Sequence, residues 1–316
     1  MTDLSRRIIR TAVDWSAVNL CLADYLAGRF TYRTREEWVA RIISGEITVN
    51  EQIVPPEKVL ELHDRIEYRP QDIIEPEADL DHQVLFEDDH LMVIAKSGNL
   101  CMHPAGPFFK HTLWHLLCSK YGSIHFVNRL DRETSGLLIA VKDPKLAKAV
   151  SHNIREKSYR VIVHGNFPET AVADGFLINA NSVIRKKRRF VSQMPENPPF
   201  ESAKTTFKRL AYANGMSLLE ATLFTGRMHQ IRATVHSLGY PVAGDKLYGV
   251  DENFYLKQRA GELTDQDMEK LLIPRQALHS AVLRFTHPVT GKELHFDLDL
   301  PEDMKKIIYF QKQLQK

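Results

Sequence analysis

Asp131 stands between Arg129 and Arg132 in the stretch HFVNRLDRETSG, His125 to Gly136, which closes on the small-residue turn Thr134-Ser135-Gly136. Two cations this close favour the ionised carboxyl, and an ionised carboxylate can act as nucleophile or base. A surface ion-pair network is the competing reading of the same run. The next residues favour a site: Leu137-Leu138-Ile139-Ala140-Val141 is an apolar run of strand type, so the loop feeds a buried central strand. Three further groups of residues could do chemistry. Tyr159 opens the alternating strand Tyr159 to Gly165. The segment after the turn Thr225-Gly226 reads as a helix with Ile231, Val235 and Leu238 on its buried face, closed by Gly239, and helical spacing sets His229, Arg232 and His236 on a separate polar stripe that needs a partner. Finally, Arg185, Lys186, Lys187, Arg188 and Arg189 form the densest basic run in the chain, on a loop, with Phe190 beside it as a possible wedge.

Composition bounds the partners. The 316 residues carry 42 Lys and Arg against 40 Asp and Glu, so any surface for a polyanion must be local. No apolar run is long enough to span a bilayer, and MTDLSRRIIRTAVDW is broken by charges where a signal peptide needs an apolar segment, so a cytoplasmic protein without a membrane partner is expected. Cys21, Cys101 and Cys118 form no CxxC pair and read as reduced core thiols. His111 and His115 have i, i+4 spacing but no third ligand nearby, and Leu113, Trp114, Leu116 and Leu117 make that helix core-facing. Neither metal nor nucleotide cofactor is expected.

The elements that must position these residues fall into three stretches. Over residues 1–70, helices are expected at Ala17 to Phe30 and Thr34 to Ser44, then a small hairpin from Ile47 to Val54 and a last strand at Asp64 to Tyr68. Residues 71–83, QDIIEPEADLDHQ, are acidic and read as a connector. Residues 84–316 open with a strand, an acidic turn and a second strand ending at Lys96. Asp143-Pro144 is a helix start, with the helix expected to run to Lys157. Strands paired about Val289-Thr290-Gly291-Lys292 close the sheet, and a basic surface helix ends the chain.

Arg129 to Gly136, Lys157-Ser158-Tyr159 and TGRMHQIRATVHSLGYPVAGDKLYG, Thr225 to Gly249, together resemble the three motifs of the RluA-type pseudouridine synthases. The resemblance implies an α+β fold with a mixed, largely antiparallel central sheet. It also implies isomerisation of uridine to pseudouridine in ribosomal or transfer RNA, by an enzyme that flips the base out of its stack. Asp131 would be the catalytic carboxylate and Arg232 its ionic partner. Tyr159 would lie against the base as stacking face and proton acceptor or relay, with Arg129, Arg227 and His229 as substrate contacts. Asn128 and Met228 depart from the family pattern, which has His and Thr or Ser there. Residues 1–70 resemble the S4 RNA-binding domain, a small α/β module whose helix pair would present Arg33, Arg35 and Arg41 to structured RNA. A monomer is expected. Two other classes fit the residues less well: a glycosidase-like hydrolase, which needs a second carboxylate facing Asp131, with Glu133 alone nearby, and a catalytically silent RNA-binding protein.

Overall fold

The computed structural model describes residues 7–30, 33–71, 74–182, 184 and 187–309, which fall into two compact units. One is the chain up to Pro76 together with Gly106–Phe109, and the other runs over Glu77–Ala105 and onward from Lys110.

In the first unit β1 (Ile9–Ala12), α1 (Leu22–Arg29), α2 (Arg35–Ile43), β2 (Ile47–Val49) and β3 (Arg65–Tyr68) enclose their own core. The strands form a three-stranded sheet in the order β1-β3-β2, and Leu22, Leu26, Trp38, Ile42, Ile47 and Ile66 are buried between it and the helices. Thr34 and Glu37 close a capping box on α2. Two expectations need correction, and one strand was not expected. The first helix begins at Leu22 and not Ala17, because Asn19 has φ +68° and backbone bonds from Asn19 to Leu60 and from Leu60 to Leu20 hold that stretch as a turn. The hairpin expected over Ile47 to Val54 reduces to a Val49–Gln52 bridge across Asn50 and Glu51, both at positive φ, and β2 pairs with β3 instead. The charged stretch before residue 13 contributes β1, a strand that its residue pattern does not announce.

The second unit is built on an eleven-stranded sheet. Its strands are β4 (His82–Glu87), β5 (Leu91–Lys96), β6 (His125–Phe126), β7 (Ser135–Val141), β8 (Ile154–His164), β9 (Thr170–Asn179), β10 (Arg188–Val191), β11 (Phe200–Ala213), β12 (Met216–Leu223), β13 (Leu278–Thr286) and β14 (Glu293–Asp297). The order is β10-β9-β11-β12-β8-β13-β7-β5-β4, with β14 on β13 and β6 on β7. The β13–β7 pair is parallel and the others are antiparallel, the mixed sheet the motifs implied. The helices are α3 (Leu113–Tyr121), α4 (Pro144–His152), α5 (Gln230–Ser237), α6 (Asn253–Ala260), α7 (Asp265–Leu271) and α8 (Glu302–Tyr309).

Every residue of β7 is buried, as a central strand between β5 and β13 requires. The Asp143 side chain accepts the Lys145 N–H at 2.9 Å and starts α4 as expected. That helix stops at His152 and not Lys157, because Ile154 already pairs with Phe285 of β13. At the end of α5, Leu238 is the C-cap and 41% exposed, not part of the buried face. The terminal helix is not a free surface element: Met304 and Ile308 of α8 are buried against Ile162, Met216 and Leu218. Among the described residues no helix is long and apolar enough to cross a membrane.

Candidate active site

The Asp131 loop is held from both ends. Before it, Asn128 Oδ1 accepts the Ile139 N–H at 2.9 Å, tying the loop back to β7, a task an imidazole nitrogen in that place could also perform. After it, Gly136 adopts φ +111°, and a Cβ there would lie 2.2 Å from the Ser280 carbonyl oxygen, so the close parallel approach of β7 and β13 requires glycine. Beneath it, the buried Lys96 ammonium donates to the carbonyls of Ser97, Leu100 and Arg132 at 2.7, 3.0 and 3.0 Å. Burial, with the Arg275 cation next, pulls that ammonium down to about 7.

Helix α5 supplies the partner. Its start is shaped by Gln230, whose side-chain oxygen accepts from Thr225 Oγ1 at 2.8 Å and from the Arg227 N–H at 3.0 Å, while its amide donates to Lys204 O and Thr205 Oγ1. His229, in the left-handed region at φ 59°, precedes the first helical turn. One turn on, Arg232 donates through Nη1 to Asp131 Oδ2 at 2.7 Å and through Nε and Nη2 to Asp245 at 2.6 and 2.9 Å. Asp245 is completely buried and also accepts the Leu247 and Tyr248 N–H groups, so a fixed fork aims the third guanidinium donor at Asp131. The Arg232 cation also lies 5.0 Å from the centre of the Tyr248 ring.

Asp131 keeps access to solvent, with a third of its side chain exposed. Burial pushes its carboxyl up, but Arg232, His229 and the hydrogen bonds from Arg232 and Gln276 outweigh that and hold it below the ordinary carboxylate value. His229 faces Asp131 with Nε2 3.9 Å from Oδ1, beyond hydrogen-bond length, and burial followed by the Arg232 charge pulls it down to about 4. It is therefore a neutral neighbour at pH 7. Its Nδ1 lies 3.1 Å from the Tyr248 hydroxyl, which accepts the Arg188 N–H at 2.8 Å. Tyr159 is buried, and burial raises its phenol to about 12, against a hydrogen bond with Ser280. The phenol is therefore protonated near neutral pH, and its ring borders the cleft.

Asp131, Arg232, Tyr159, Arg129, Arg227 and His229, drawn from three separate stretches of sequence, line one cleft of about 70 Å³. Glu133 does not share it. Lys246 holds that carboxylate at 3.1 Å to each oxygen, and the Gln276 N–H donates to it as well, so the second acid a hydrolase would need is turned away.

The basic run is divided. Lys187 is buried and paired with Glu252 at 2.7 Å, Arg188 pairs with Glu201 and with Asn179, and Arg189 is exposed. Arg185 and Lys186 lie outside the described residues. Phe190 is no wedge: its ring is buried and would meet a Cβ on Gly175 at 3.0 Å. In the first unit Arg35 pairs with Asp24 and Arg41 with Glu46, each at 2.6 Å, while Arg33 lies over the Trp38 ring at 5.9 Å.

Sequence reading missed Asp245 and Tyr248, although both stand in the third motif, in AGDKLYG. It also missed Gln276, which donates to Thr134 Oγ1 and reaches Asp131 Oδ2 at 3.5 Å. The adjacency of Gly244 and Asp245 was the available signal. Gly244 has φ +71° with the Arg275 carbonyl 2.0 Å from a Cβ position, the mark of a backbone crossing that buries the next residue.

Residues 90–237, which hold the Asp131 loop, Tyr159 and Arg232, match the family model described as RNA pseudouridylate synthase. A ribosomal large subunit pseudouridine synthase D from Zymomonas mobilis is 33% identical over 242 residues, 72% of this chain and 72% of that protein. The chain belongs to the RNA pseudouridylate synthase family. A mitochondrial tRNA pseudouridine(32) synthase of Saccharomyces cerevisiae is 32% identical over 239 residues, 73% of this chain and 51% of that protein. In fold the synthase is similar to human RNA Pseudouridylate Synthase Domain Containing 1, at TM-score 0.52 and 20% identity over 72% of this chain and 86% of that one. Membership of the family makes the protein an isomerase acting on RNA, and the silent-binder alternative is not favoured.

Proposed function

We propose that the chain converts particular uridines of ribosomal or transfer RNA to pseudouridine, with Asp131 as nucleophile or initiating base. The observation that carries this is the fork of Arg232. Two of its donors are committed to buried Asp245 and the third holds a solvent-accessible Asp131 ionised and oriented. The reaction breaks the C1'–N1 glycosidic bond, rotates the base and forms C1'–C5. The C5 hydrogen leaves as a proton and N1 gains one, so no oxidant, reductant or transferred group enters the balance.

The cleft opens to solvent between Asp131 and Tyr159, where a base flipped out of its stack would enter. Arg129 and Arg227, at the lining, serve as contacts to the strand that carries it. His229, neutral, accepts a hydrogen bond from the Tyr248 hydroxyl at Nδ1 and turns its Nε2–H towards Asp131, a dipole that steadies the carboxylate without competing for its charge. The first unit, with its helix pair and Arg33, Arg35 and Arg41, serves as an S4-like module that adds affinity for structured RNA; the exposed Arg189 and the neighbouring Arg185 and Lys186 add phosphate contacts. The proposed acting form is a monomer. An RNA substrate and three free cysteines support a cytoplasmic location. Release of tritium from 5-tritiated uridine in ribosomal or transfer RNA by the purified chain, followed by mapping of the product position, tests the proposal. Absence of release from every such RNA would contradict it.

A further inference from the structure

The lysines of the second unit around the sheet mostly have evident partners. Lys187 pairs with Glu252, Lys204 with Asp174, Lys246 with Glu133, Lys257 with Asp267, and Lys96 has three carbonyls. Lys157 is different. It stands on β8 two residues before Tyr159, so strand alternation puts both side chains on one face, the face that Tyr159 turns to the Asp131 cleft. Its side chain is half-buried, and its Nζ lies 3.5 Å from the place a Cβ on Gly226 would take. That glycine belongs to the Thr225-Gly226-Arg227 turn, which Gln230 pins and whose Arg227 lines the cleft. Among the described residues neither a carboxylate nor a hydrogen-bond acceptor meets this ammonium, and burial, with no charged neighbour contributing, lowers its pKa.

A partly desolvated cation without a counter-charge is costly, and a fold keeps one where a guest anion completes it. The place is the rim of a cleft that must hold one nucleotide of a polyanion. We propose that Lys157 binds a backbone phosphate of the RNA beside the target uridine, reaching it past the side-chain-free Gly226. The inference rests on the pseudouridylation reading and names a contact of that same site. It makes Lys157 a substrate-binding residue, distinct from the groups around Asp131 that act on the base.

The experiment compares wild type, Lys157→Gln and Lys157→Arg on 5-tritiated transcripts of ribosomal and transfer RNA, measuring affinity against salt and single-turnover tritium release at saturating RNA. One lost phosphate contact should weaken binding about five- to tenfold for Lys157→Gln and reduce the slope of log K against log salt by about one, with arginine restoring both. Release at saturating RNA should stay within about twofold of wild type, because the contact docks the strand and leaves the carboxylate untouched. An unchanged affinity and slope, or a loss confined to the saturated rate, would overturn the proposal. A second reading uses wild type alone: bound RNA should shield Lys157 from acetylation by acetic anhydride, and equal labelling with and without RNA would also overturn it. Because the affinity and labelling arms need no turnover, failure of the wild type to release tritium would count against the pseudouridylation reading and not against the phosphate contact.

Discussion

Arg232 divides its donors between a carboxylate that is never exposed and one that keeps access to solvent, and that division can be tested one side chain at a time. Arg232→Ala leaves buried Asp245 without its cation and should cost about 3–5 kcal/mol in stability and transition-state energy together. Arg232→Lys should recover part of the rate, because a point charge can reach Asp131 or Asp245 but cannot reproduce the planar fork. Melting temperatures and single-turnover rates separate the two losses; wild-type rates for the lysine variant would show that charge alone suffices. Protonation is a second handle at this scale. His229 and His279 are both pulled from 6.5 down to about 4, burial being the first cause in each. The unfolded chain protonates them near 6.5, so it binds more protons than the fold below that value. Stability should therefore fall as pH drops from about 6.5 to about 4 and this contribution should level off below. His279→Asn, whose Oδ1 stands near the place of the Nδ1 that meets Ser135 Oγ, should flatten the fall of melting temperature over that window. An unchanged profile would mean that His279 is not held neutral.

At the scale of elements, the parallel contact of β7 with β13 decides where the Asp131 loop sits. Gly136→Ala adds a Cβ against the Ser280 backbone at a positive φ, so it should lower the melting temperature by several degrees and reduce turnover, through displacement of the loop and not through chemistry. Thermal unfolding and the single-turnover rate of that variant check both parts, and a variant as stable as wild type would contradict the close approach. These elements were legible to different degrees. β7 was visible because five consecutive apolar residues admit few solutions other than a buried strand, and α4 because Asp143-Pro144 is a local start signal. The motif residues Asp131, Tyr159, Arg227, His229 and Arg232 were singled out in the sequence, and the fold brings them to one cleft. What was not legible depends on long-range pairing. β13 enters the sheet between β7 and β8, far from either in sequence, and β1 is a charged segment whose strand character comes from its register with β3. Asp245 escaped notice for the same reason: a buried aspartate after a glycine declares its purpose once Arg232 is seen 2.6 Å away. Lys187 and Arg188 looked like a free basic run because their acids, Glu252 and Glu201, lie outside it in sequence.

For the molecule as a whole, the proposed function assigns affinity to charges spread over two units and chemistry to one carboxylate. Replacing Arg33, Arg35 and Arg41 together by glutamine should lower RNA affinity and the steepness of its salt dependence while leaving release at saturating RNA within about twofold of wild type. A salt titration of binding measures this, and an unchanged slope would leave the first unit a structural cap whose arginines serve its own ion pairs. The central claim rests on Asp131. The measurement that reaches it most directly is single-turnover release of tritium from 5-tritiated uridine in RNA by wild type and by Asp131→Asn, with RNA affinity determined on the same preparations. Asparagine keeps the size and a hydrogen bond to Arg232 but removes the charge, so release should stop while affinity stays within a fewfold of wild type. Substantial release by Asp131→Asn would contradict the assignment of Asp131 as the catalytic carboxylate.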